Sequence, residues 1–117
     1  MERDRVQMHN TYKKKVCSAH EAFREKNFTR LAKLLFEKGK IAAKMYEIDG
    51  TDEWDIRTYG AYNAAGGAFE AQGDFPTASI SYRLALASCK RIAAGRGPDW
   101  QKNIDHLKFL IERVSVR

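Results

Sequence analysis

Cys17 and His20 are the pair in this chain best spaced for metal chemistry, because residues three apart share one face of a helix. They offer only half the donors of a closed zinc site, and no second Cys or His pair stands at a suitable spacing. His20 is therefore expected as a crowded residue between helices. His9 is expected in solvent and His106 at the edge of the last helix. The acidic cluster Asp52, Glu53 and Asp55, after the Asp49-Gly50 turn, lacks the ligand rhythm of a calcium loop. Its carboxylates instead suit the positive end of a helix that Thr51 would cap. The sequence has no Gly-x-Ser-x-Gly, no phosphate-cradling Gly-x4-Gly-Lys and no dinucleotide fingerprint, and Gly95-Arg96-Gly97 is too short for a phosphate loop. The expectation is a protein that is not an enzyme and holds no metal and no cofactor.

The elements that would carry these residues are helices. Only two prolines occur in 117 residues, and alanine, lysine, arginine, glutamate and leucine dominate. Residues 1–8 are polar and are expected to fray. The first helix is expected over about 11–26, with Tyr12, Val16, Ala19 and Phe23 as its apolar stripe. Asn27 breaks it and Thr29 is the candidate cap of the next, over about 30–47. There Leu31, Leu34, Leu35, Ile41, Ala42, Met45 and Tyr46 form a broad stripe, with Glu37 and Lys40 paired on the other side. The third helix, about 52–72, directs Trp54, Thr58, Ala61, Tyr62, Ala65 and Phe69 one way. Gly66 and Gly67 interrupt it at a cost of about 1 kcal/mol each against alanine, so something must approach that surface closely. Gly73 ends it and Asp74 caps the fourth, about 75–94. The fourth has two stripes, Ala78-Tyr82-Ala85-Cys89-Ile92 and Ile80-Leu84-Ala87, which predicts a sandwiched helix. After Gly95–Pro98, Asp99 is the expected cap of a fifth helix over about 100–115, with Trp100, Ile104, Leu107, Ile111 and Val114 inward.

Composition bounds the function classes. At 44% hydrophobic and 31% charged the chain reads as one soluble globular domain. The net charge of +6 is uneven, since residues 1–50 hold 12 basic and 7 acidic side chains. That half could meet nucleic acid or an acidic partner, yet no aromatic side chains interleave with its charges as a nucleic-acid platform requires. Cys17 and Cys89 lie far apart and read as reduced, half-buried small hydrophobes. With no secretory apolar run and no stretch of about 18 apolar residues, the expectation is a cytoplasmic protein without membrane insertion.

Two stretches superpose at an offset of 46 residues: Tyr62, Ala65, Gly66, Phe69, Ala78, Tyr82 and Ala85, and the fainter Val16, Ala19, His20, Phe23, Ala32, Phe36 and Gly39. With Gly73-Asp74-Phe75 between its halves, the second stretch resembles a tetratricopeptide repeat at ten positions across 24 residues. The offset exceeds the usual period of about 34, which makes the chain similar to the long-helix repeats of kinesin light chains. In the first stretch His20 departs from the pattern in place of a small residue, and Gly39 in place of alanine. The resemblance covers roughly residues 11–113. It implies an all-α helical repeat of two antiparallel hairpins, about 11–47 and about 52–94, plus a C-terminal capping helix.

The same resemblance implies a concave face lined by the first helix of each hairpin. On the first helix that face is Lys14, Cys17, Glu21 and Arg24; on the third it is Gly60, Asn63, Gly67 and Glu70. The site residues expected to contact a partner are Lys14, Glu21, Arg24, Asn63, Gly67 and Glu70. Asn63 can bond both backbone groups of an extended peptide, and Gly67 lets it come close. The expected function is a protein-protein interaction module, an adaptor or assembly factor, that holds a peptide or protein segment. A short array also suggests self-assembly into a homo-oligomer, with Phe109, Leu110 or the end of the second helix as seam. The alternative is a basic helical nucleic-acid-binding protein.

Overall fold

The computed structural model describes residues 2–117. It contains five α-helices: α1 (Glu2–Arg24), α2 (Phe28–Asp49), α3 (Asp52–Ala71), α4 (Phe75–Arg96) and α5 (Gln101–Ser115), with a 3-10 turn at Pro98–Trp100 and no strand among the described residues. Each helix packs chiefly on its neighbours in the chain, giving two antiparallel hairpins and a closing helix. They form a slab of 44 × 38 × 20 Å.

The first helix starts nine residues earlier than the patterning predicts. Glu2 and Asp4 sit in its first turn, where carboxylates face the positive helix end. Arg5 Nε bonds Asp49 Oδ1 at 2.9 Å and ties this turn to the end of α2. Met8, His9 and Tyr12 then pack around Trp54 of α3, the two rings edge-on at 5.5 and 5.2 Å. His9 is thus a packing residue and not a solvated one. Met1, part of the segment expected to fray, lies outside the described residues.

Both hairpins turn by the same device. The N–H of Asp74 donates to the Phe69 carbonyl and that of Gly73 to the Glu70 carbonyl, with Gly73 at φ +80°. In the first hairpin Asn27 donates to Ala22 and Lys26 to Phe23, with Lys26 at φ +58°. The left-handed residue is therefore Lys26, and Asn27 takes the part of Asp74. Each of these two accepts an N–H three residues on, from Arg30 at 3.2 Å and Thr77 at 3.3 Å. Thr29 is not a cap, and Thr51 makes no side-chain cap bond. Asp99 lies within the 3-10 turn, so Trp100 precedes α5 without a side-chain cap.

The main core lies between α3, α4 and α5. Tyr62, Ala78, Tyr82, Ala85, Cys89, Ile104, Leu107, Leu110, Ile111 and Val114 fill it, with Phe36 of α2 against it. Two glycines set the spacing of the layers. A Cβ on Gly66 would stand 2.5 Å from the Tyr82 ring, and one on Gly39 would stand 2.8 Å from the Tyr62 ring. Gly39 thus departs from the repeat pattern because the next hairpin's tyrosine occupies its Cβ space. Several expectations from the stripes are corrected here. α4 does lie between neighbours, packing on both α3 and α5, but Ile80, Leu84 and Ala87 face solvent, so the second stripe is not one of its packed faces. Leu110 is buried in the core and cannot serve as an exposed seam, whereas Phe109 is exposed. Glu37 pairs with Lys15 of α1, while the Lys40 ammonium lies over the Phe36 ring.

Candidate functional site

A groove of about 750 Å³ opens on the surface. It is built by three helices. α1 contributes Cys17, Ala19, His20, Phe23 and Arg24, α2 contributes Phe28, Leu31, Leu35 and Lys38, and α3 contributes Ala64 and Ala68. Its origin is local. The buried residues of α1 are two alanines, Ala19 and Ala22, so this end of the helix covers little of the surface of α2. The rings of Phe23 and Phe28 meet at 6.5 Å across the α1–α2 turn, yet they stay 63% and 47% exposed. Tight alanine packing thus brings the helices together while large side chains remain outside. Exposed apolar surface of this extent on one face commonly marks a binding site.

The residues expected from the sequence do not all converge there. Arg24 lines the groove. Lys14 and Glu21 are exposed on α1 outside its lining, and Asn63 is half-buried on α3 beside, not within, the lining. Gly67 is exposed, and a Cβ there would meet the Tyr82 hydroxyl at 3.9 Å. Glu70 is engaged inside the fold: Tyr82 Oη and Arg113 Nη2 donate to its Oε1 at 2.8 and 2.7 Å, joining α3 to α4 and α5. On α3 the residues that reach the groove, Ala64 and Ala68, lie on the side next to the expected face. Sequence reasoning placed Phe23, Leu31 and Leu35 in the core and gave Lys38 no role. Three leucines within five residues of α2 were the available signal. His20 and Cys17 are both exposed, contrary to the crowded and half-buried positions expected, because the bulk needed to cover them is missing. No group of three or more His, Cys, Asp or Glu side chains is arranged to hold a metal among the described residues.

The electrostatics separate the groove from the Glu70 cluster. The hydrogen bond from Arg113, with a smaller one from Tyr82, holds the Glu70 carboxyl below its ordinary value of 4.5 against the opposing effect of burial. Burial, then the bond to Glu70, pushes the Tyr82 hydroxyl well above the usual phenol range. A carboxyl depressed in the folded state stabilises the fold above its unfolded value and loses that contribution as pH falls through the lower one. Wild-type stability should therefore drop below pH 4.5. Glu70→Gln should flatten that part of the pH dependence in urea melts. Parallel curves for the two proteins would show that the Glu70 bonds are not formed in solution. In the groove the effect runs the other way: burial lowers Lys38 below the usual lysine value, with no carboxylate among the described residues beside it to offset the loss of water.

No family model matches this chain, and no curated protein or solved structure matches it. No helix among the described residues is long and apolar enough to cross a membrane.

Proposed function

We propose that this chain is a non-enzymatic interaction module of tetratricopeptide-like architecture, an adaptor, chaperone-like or assembly factor. It holds a peptide or protein segment in the groove between α1 and α3. The observation that carries this reading is the exposed Phe23–Phe28 pair at the mouth of a groove floored by Leu31 and Leu35. Paired α1 and α3 walls over an α2 floor suit a partner that inserts apolar side chains and uses polar groups at the rim for register. The site would lie on α1 and α2 more than on the expected Asn63, Gly67 and Glu70 face.

The test is selection of binders from a random-peptide display library on the full chain. Ala64 is exposed and lines the groove, so Ala64→Arg fills the site without entering the core. Selected peptides should lose at least about tenfold in affinity for this variant, or about 1.4 kcal/mol, while its circular dichroism and melting stay unchanged. Undiminished binding would place the site elsewhere.

A further inference from the structure

Every charged side chain that lines the groove is basic, the exposed Arg24 and the half-buried Lys38, and no Asp or Glu lines it. Neither cation has a carboxylate partner among the described residues, although Asp49, Asp52, Asp55, Glu25, Glu37, Glu53 and Glu70 all form ion pairs. Lys38 is half-buried, and its ammonium lies over the Tyr12 ring at 5.9 Å. A ring face is a weak substitute for water or a counter-ion, and the lowered value of Lys38 reflects that loss. Two other cations of this half, Arg5 and Lys15, hold carboxylates from α2. The groove lining is thus mostly apolar, and its two charged side chains are both cations.

Resting on the groove reading above, we infer that the partner is an acidic segment of another protein, with a bulky apolar side chain over Phe23 and Phe28 and a carboxylate on Lys38. The carboxylate would supply the charge-assisted hydrogen bond that Lys38 lacks, in surroundings that strengthen it. The spacing follows from α2. Phe28 and Lys38 are ten residues apart on one helix, which is about 15 Å. Anchor and acid should therefore be separated by about four residues of extended chain, or about ten of helix. A second acid would meet Arg24.

The display selection reads this directly. The selected peptides should be enriched in Asp or Glu at that distance from a large apolar residue. They should bind Lys38→Met about tenfold more weakly than wild type, and a Glu→Gln change in the peptide should cost wild type about the same and cost Lys38→Met little. Circular dichroism of Lys38→Met establishes that the helices are intact. Peptides without acidic enrichment, or equal binding to Lys38→Met, overturn the inference, and the groove reading survives if Ala64→Arg still abolishes binding. Binding that Ala64→Arg leaves intact, or no selected peptide at all, overturns both. A dimer in sedimentation that Ala64→Arg returns to monomer would make a second copy the occupant, and a gel shift with an oligonucleotide lost in Ala64→Arg would make it nucleic acid; either result overturns the acidic segment.

Discussion

Replacing Arg91 with methionine should cost about 3–5 kcal/mol of stability, and replacing Asp55 with asparagine clearly less, although the two substitutions break the same ion pair. Asp55 is 2% exposed at the start of α3. Arg91 of α4 holds it with two parallel bonds, Nε to Oδ2 at 3.0 Å and Nη2 to Oδ1 at 2.9 Å. Arg91 also donates to Ser88 and stacks over the Tyr46 ring at 5.1 Å, so one side chain joins α2, α3 and α4. Arg91→Met leaves a buried carboxylate with no partner. Asp55→Asn leaves a guanidinium whose side chain is already 47% exposed and can turn to water. Urea denaturation of both variants measures the asymmetry. Equal losses, or a greater loss for Asp55→Asn, would mean that water reaches Asp55 and the pair is not a buried link.

Gly66→Ala should destabilise the protein by about 1–3 kcal/mol even though alanine is the better helix former. Its Cβ would lie 2.5 Å from two carbons of the Tyr82 ring. That ring is 2% exposed, and its hydroxyl is tied to Glu70, so it cannot move without opening the core or breaking that bond. Gly39→Ala should behave alike against Tyr62, at 2.8 Å. Gly60 is the control: it lies in α3 with nothing within 4 Å of the added atom, so Gly60→Ala should stabilise by about 0.5–1 kcal/mol. Thermal melts of the three variants give the signs. A Gly66→Ala protein as stable as Gly60→Ala would show that α3 and α4 do not approach this closely.

The second hairpin was the most legible part of the chain because its contacts are local. Ala65, Gly66, Ala78 and Tyr82 lie within a few turns of each other, and their types fix how closely two helices can meet. Where an apolar residue goes depends on whether a neighbour exists to cover it, and spacing does not state that. Phe23, Leu84 and Ile80 have the spacing of core residues, but they stay largely exposed. Links across many residues were equally silent. Arg5 reaches Asp49 and Arg113 reaches Glu70, and no local pattern distinguishes such arginines from solvated ones. From sequence alone, residues 2–8 therefore read as loose and Glu70 as free for a partner. The groove was legible only in part. Its walls were on the expected helices, but its floor used leucines of α2 whose apolar character reads first as core.

The groove's role is tested most directly by an amide NMR titration of the full chain with a peptide taken from the display selection. The account predicts that the perturbed signals cluster at Cys17, Arg24, Leu31, Leu35, Lys38, Ala64 and Ala68 and leave α5 unchanged. Perturbations centred on Phe109 and Val116, or on the exposed Ile80 and Leu84 of α4, would contradict it.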